Sequence, residues 1–66
     1  MNNLKQLRAQ TNLSQKKLAD TIFVSVTLLT LIENEKVPCQ EYVYHRLREV
    51  FGCDLIMDYK EERKTA

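Results

Sequence analysis

The chain has 66 residues, 44% of them hydrophobic and 29% charged, with one glycine and one proline. This length suits one small domain with a thin core, and the composition excludes collagen-like, low-complexity and wholly disordered chains. Ten basic and nine acidic residues give a net charge of +1, without the strong basic excess of a purely electrostatic nucleic-acid binder.

Apolar residues at helical spacing predict two short helices at the start of the chain. Asn2 or Asn3 is placed to cap the first helix, which carries Leu4 and Leu7 on one face. Ser14 is a suitable N-cap for the second helix. The buried stripe of this helix is expected to comprise Leu18, Ala19 and Ile22. Its other positions are expected to face water: Gln15, Lys16, Lys17 and Asp20.

Two further helices follow. Only Phe23 and Val24 precede the next N-cap, Ser25, and a third helix is predicted from position 26 to about position 34. Pro38 disfavours a helical residue before it and so predicts a loop. A fourth helix is predicted over about positions 40–51, with Gly52 as the C-terminal cap. Its outward residues are expected to form a solvated face with Tyr44 partly packed, and the alternative is a surface that contacts the DNA backbone or a second copy: Tyr42, Tyr44, Arg46 and Arg48.

The apolar period then changes to two. Cys53, Leu55, Met57 and Tyr59 alternate with more polar positions. Residues 53–59 therefore predict a short strand, with a short fifth helix as the alternative. An unpaired strand edge would favour pairing with a second copy of the chain, whereas the alternative is packing on its own domain. The charged residues 61–66 are expected to form a frayed tail.

Several kinds of site are not expected. Cys39, Cys53 and His45 fit no zinc-ligand spacing, and the two thiols are expected to be small buried groups. No nucleophile lies beside a base, so we expect no enzymatic activity, metal or cofactor. The longest apolar-rich stretch, residues 22–32, is about half the length of a membrane span. We expect no signal peptide, no membrane contact and a cytoplasmic location.

Two short helices joined by a tight turn, the second capped by serine, describe a helix-turn-helix. The pattern is Ser14-Gln15-x-x-Leu18-Ala19-x-x-x-x-Val24-Ser25-x-x-x-Leu29-Thr30-x-Ile32-Glu33. It resembles the helix-turn-helix of the phage repressor and Cro-like (XRE) family, over about residues 3–52. The resemblance implies an all-α, repressor-like domain of four or five helices over residues 1–52, followed by an extension over residues 53–66 that forms a strand or helix. It also implies a homodimeric, sequence-specific regulator of transcription that occupies a double-stranded DNA operator.

The resemblance further implies roles for individual residues. Arg8 pairs with Glu33 in a structural ion pair. Gln15, or the start of its helix, meets a DNA phosphate, and Ser25 caps the recognition helix. The implied base-contacting positions are Val26, Thr27 and Leu31, while Asn34 and Lys36 lie where the loop touches the opposite backbone. The lysines expected to neutralise phosphates are Lys5, Lys16, Lys17 and Lys36.

The chain departs from the family pattern at two places. Phe23 stands where the turn favours glycine, so either the turn differs or burial of the ring offsets the backbone strain. The recognition helix offers an apolar strip of Val26, Leu28 and Leu31, which can contact thymine methyl groups but cannot read guanine. We therefore expect weak or A·T-biased specificity. The alternative function is a protein-interaction module, antirepressor-like or antitoxin-like, that docks a partner on this strip.

Overall fold

The computed structural model describes residues 2–61 and contains four α-helices in that range. They are α1 (Leu4–Gln10), α2 (Gln15–Ile22), α3 (Val26–Glu33) and α4 (Glu41–Phe51). A single turn of 3-10 helix follows at Gly52–Asp54, and residues 2–61 contain no β-strand. The predicted all-α class is confirmed. No helix in this range is long and apolar enough to cross a membrane.

Side-chain caps explain where the helices begin. The Ser14 hydroxyl accepts a hydrogen bond from the Lys17 backbone N–H at 3.0 Å, and the Ser25 hydroxyl accepts one from that of Leu28 at 3.0 Å. The Asn2 side chain accepts from the Leu4 N–H at 3.2 Å. Each cap gives a partner to a backbone donor that the helix itself leaves unpaired. The predicted serine caps are confirmed.

Left-handed residues explain where the first three helices end. Asn12, Phe23 and Glu35 have φ values of 56°, 60° and 58°. The residue after each of them donates a backbone hydrogen bond, 2.9–3.0 Å long, to the carbonyl five positions before itself. These bonds run from Leu13 to Arg8, from Val24 to Ala19 and from Lys36 to Leu31. This is the Schellman arrangement, which pairs the last carbonyls of a helix. Gly52, at φ 64°, follows α4 as predicted.

The turn between α2 and α3 keeps the left-handed geometry although Phe23 replaces glycine. Phe23 has φ 60° and ψ 44°, and its side chain is 81% exposed. Burial of the ring therefore does not offset the backbone strain, which costs of order 1–2 kcal/mol for a residue with a Cβ. The Arg46 guanidinium lies 5.7 Å from the centroid of the Phe23 ring, and this cation–π contact offsets only part of the strain.

Glycine at position 23 should make the domain more stable than alanine does. Both Phe23→Gly and Phe23→Ala remove the ring, but only glycine removes the strain. After allowance for the greater freedom of glycine in the unfolded chain, we expect Phe23→Gly to exceed Phe23→Ala by about 1 kcal/mol. Urea denaturation of the two variants measures this difference. Equal stabilities would show that the turn is not strained.

The core lies where α2, α3 and α4 meet. Leu18, Ala19, Leu29, Val43 and Leu47 are all 0% exposed. Ala19 lies on α2, which makes its closest packing with α3, so a larger side chain there would force the two helices apart. The core thus fixes the angle between the two helices of the predicted motif.

The segment after α4 is not a strand, and of the alternative, a short fifth helix, only the single 3-10 turn at Gly52–Asp54 is present. Met57 forms an isolated antiparallel bridge with Asn2, and Lys60 forms an isolated parallel bridge with Gln40. Each bridge pairs a single residue, so no ladder forms and the predicted strand over residues 53–59 is wrong. The predicted alternation of buried and exposed side chains holds at two neighbouring positions, because Leu55 is 6% exposed whereas Ile56 is 69% exposed. The predicted tail lies outside the described residues beyond position 61.

The two cysteines have different surroundings. Cys39 is buried, as expected, and burial raises the pKa of its thiol to about 11. Cys53 is exposed, so the expectation that both thiols are buried is wrong for this residue. The reason is local: Cys53 lies in the 3-10 turn, where the chain leaves α4 at the surface.

Candidate nucleic-acid interface

The end of α3 is fastened to α1 and to the start of α2 through one carboxylate. The Glu33 side chain is 0% exposed, and both of its oxygens accept hydrogen bonds from the Arg8 guanidinium, that from Nη2 to Oε1 at 3.1 Å. The same Oε1 accepts from the Gln15 amide at 3.0 Å. Arg8 also donates to the Leu13 carbonyl at 3.1 Å. The structure therefore contains the Arg8–Glu33 ion pair, with the bidentate geometry that suits a buried carboxylate.

The surroundings of Gln15 differ from those predicted. Its side chain is half-buried and bonded to Glu33, so the expectation that it faces water is wrong. A phosphate offers only acceptors, and part of the donor capacity of this amide is already used. The backbone N–H groups at the start of α2 are the other donors expected for that contact.

The four predicted phosphate-binding lysines are all exposed but differ in their surroundings. Lys16 forms an ion pair with Asp20 at 3.3 Å, and Lys5 donates to the Asn34 side chain at 2.6 Å. The ammonium groups of Lys17 and Lys36 have no hydrogen bond or ion pair within residues 2–61. These two charges are therefore the most available for an anionic partner.

The outer face of α3 is narrower than the strip expected from the sequence. Val26 is 38% exposed and Thr27 is exposed, but Leu28 and Leu31 are only half-exposed. Leu28 packs against the core, which removes it from the candidate contact surface. Ser25 uses its hydroxyl as the cap of α3. The N-terminal turn of α3 thus presents Val26 and Thr27 to solvent.

Asn34, at the end of α3, is bonded on both sides of its amide. Its nitrogen donates to the Thr30 carbonyl at 3.0 Å, and its oxygen accepts from Lys5. The amide therefore holds the loop after α3 close to α1. One N–H of the Asn34 amide remains for a contact to a nucleic-acid backbone.

Arg46 does not lie in solvent as expected from the sequence: its side chain is half-buried and bonded within the fold. Its guanidinium donates to the Ile22 carbonyl at the end of α2 at 3.1 Å and lies over the rings of Phe23 and Tyr42, at 5.7 and 5.2 Å from their centroids. A cation at this position stabilises the C-terminal end of α2. No sequence pattern predicts the contact, because it depends on where α4 crosses α2.

The part of the chain that the structure describes contains no cluster of metal-ligating side chains. Within residues 2–61, no group of three or more His, Cys, Asp or Glu side chains is placed to hold a metal ion. Comparisons of the chain with protein-family models, with curated proteins and with solved structures find no match.

Proposed function

We propose that the protein is a sequence-specific DNA-binding regulator of transcription, of the repressor/Cro type, that places α3 in the major groove. The observation that supports this best is the way in which α3 is capped, exposed at its start and bonded at its end. Ser25 caps α3, Val26 and Thr27 are exposed at its first turn, and Glu33 fastens its last turn to Arg8 and Gln15. The regulator acts in the cytoplasm by occupying an operator, without a cofactor and without a catalytic step.

Two lysines that have no ion pair within residues 2–61, Lys17 and Lys36, supply the phosphate contacts in this proposal. Lys17, with the backbone N–H groups at the start of α2, contacts one strand, and Lys36, in the loop after α3, contacts the other. Lys16 and Lys5 contribute less, because each already has a partner in the fold. Thr27 provides a hydroxyl for a base edge.

We also propose that two copies bind one operator. A two-fold dimer would place the recognition helices about 34 Å apart, one turn of DNA. Residues 53–59 form no strand in the structure, so this proposal does not rest on strand pairing between the copies. Sedimentation of the chain with and without a palindromic duplex measures how many copies of the chain bind each duplex. One copy per duplex would contradict the proposed dimer.

Fluorescence anisotropy with a labelled duplex from the region of the protein's own gene, and with a scrambled duplex, tests the function. Binding to the first duplex should be tighter and should fall steeply as salt is raised. Lys17→Ala and Lys36→Ala should each reduce the slope of log affinity against log salt by about 0.9 per bound copy of the chain, which is about 1.8 when two copies occupy the operator. Arg48→Ala removes the same charge from the exposed side of α4 and should leave the slope unchanged.

Equal, weak binding to both duplexes, with equal effects of the three variants, would contradict the proposal. That result would favour the alternative, a protein-interaction module that uses Val26 and Leu31. In that case Leu31→Asp should abolish the protein complex, and Lys17→Ala should spare it.

A further inference from the structure

The solvent face of α3 is built from only four residues. At about 100° per residue, positions 26, 27, 30 and 31 fall within about 140° of the helix circumference. The burial pattern agrees, because Leu29, Ile32 and Glu33 are buried on the other side and Leu28 packs against the core. Any contact between α3 and a base must therefore come from these four residues: Val26, Thr27, Thr30 and Leu31.

Most polar groups on or beside this face are already bonded within the protein. The Thr30 hydroxyl donates to the Val26 carbonyl at 2.9 Å, so towards a ligand it can only accept, and its methyl group lies beside it. The Gln15 amide donates to the Glu33 carboxylate, and the Asn34 amide donates to the Thr30 backbone carbonyl. The Thr27 hydroxyl makes no hydrogen bond within residues 2–61. The face thus offers methyl groups, one hydroxyl with an uncommitted proton and one hydroxyl that can only accept, with no amide, guanidinium or ammonium group.

The major groove contains one apolar group that matches such a face, the 5-methyl group of thymine. Guanine and adenine are read by bidentate donors and acceptors, which Arg, Lys, Asn and Gln provide and this face lacks. We propose that α3 reads thymine methyl groups, so that the ligand is A·T-rich duplex DNA with thymines placed opposite Val26, Thr27 and Leu31. This inference rests on the proposed function, and it names the class of sequence that the site accepts.

Replacement of thymine by deoxyuridine removes the methyl group and leaves the Watson–Crick pairing unchanged. We would select binding sequences from a pool of random 20-base-pair duplexes, then measure the affinity of the best duplex with thymine and with uracil. Each lost methyl contact should weaken binding on the order of fourfold, so substitution of three contacted thymines should cost more than tenfold. Uracil placed outside the site is the control and should have no effect.

Two protein variants connect the effect to this face. Thr27→Ser keeps the hydroxyl and removes the methyl group, and Val26→Ala shortens the neighbouring side chain; both positions are exposed, so folding should be unaffected. In Thr27→Ser, the penalty for uracil at one base should disappear, because the methyl partner is already missing.

The outcomes separate the inference from the function on which it rests. A selected duplex that binds tightly and equally with thymine and uracil would overturn thymine readout and leave the DNA-binding function standing. Failure to enrich or bind any duplex would overturn both. A selected site rich in guanine would also overturn the inference.

Discussion

Replacement of Arg8 by methionine is expected to destabilise the domain by about 3–5 kcal/mol, because it leaves the Glu33 carboxylate buried without its cation. A domain of this size has a free energy of unfolding of only about 3–10 kcal/mol, so the substitution should remove a large fraction of the stability. Gln15 would remain as a neutral partner of Glu33, but an amide does not compensate a buried charge. Urea denaturation followed by circular dichroism measures the loss.

The two halves of the ion pair should not be equivalent. The Arg8 side chain is 18% exposed, whereas that of Glu33 is 0% exposed. In Glu33→Leu the guanidinium can reach water and keeps its bond to the Leu13 carbonyl, so this variant should lose less stability than Arg8→Met. The double variant, Arg8→Met with Glu33→Leu, should recover most of the loss, because no buried charge remains. Additive losses in the double variant would show that the pair is not the source of the effect.

The substitution Leu29→Ala is expected to lower the free energy of unfolding by about 3–5 kcal/mol. The Leu29 side chain is 0% exposed, and its loss leaves a cavity between α2 and α3. Leu31→Ala makes the same chemical change two positions away on the same helix. Leu31 is half-exposed, so its loss should be about 2 kcal/mol smaller. Thermal unfolding of the two variants gives the comparison. Similar losses would mean that α3 is rotated relative to the described packing.

Local signals predicted the helices well. Ser14 and Ser25 marked the starts of α2 and α3, and Gly52 marked the end of α4, because caps are local chemistry that the neighbouring residues determine. The spacing of Leu18 and Ile22 identified the buried side of α2 for the same reason.

Features that depend on tertiary contacts were predicted less well. The alternation over residues 53–59 predicted a strand, but a strand needs a partner segment, and Asn2 and Gln40 each offer only one paired position. Helical spacing placed Gln15 in solvent, but a long amide at the start of α2 reaches Glu33 once α3 is packed beside it. Periodicity could not separate Leu28, which packs on the core, from an exposed contact residue.

The central claim is that the first turn of α3, with the start of α2 and the loop after α3, contacts duplex DNA. Amide chemical shifts of the ¹⁵N-labelled chain, followed as the duplex is added, test it residue by residue. The claim predicts the largest changes at Lys17, Thr27 and Lys36 and little change at Val50 and Ile56, which are exposed but lie in α4 and the C-terminal segment. Changes centred on Val50 and Ile56, or no changes with any duplex, would contradict it.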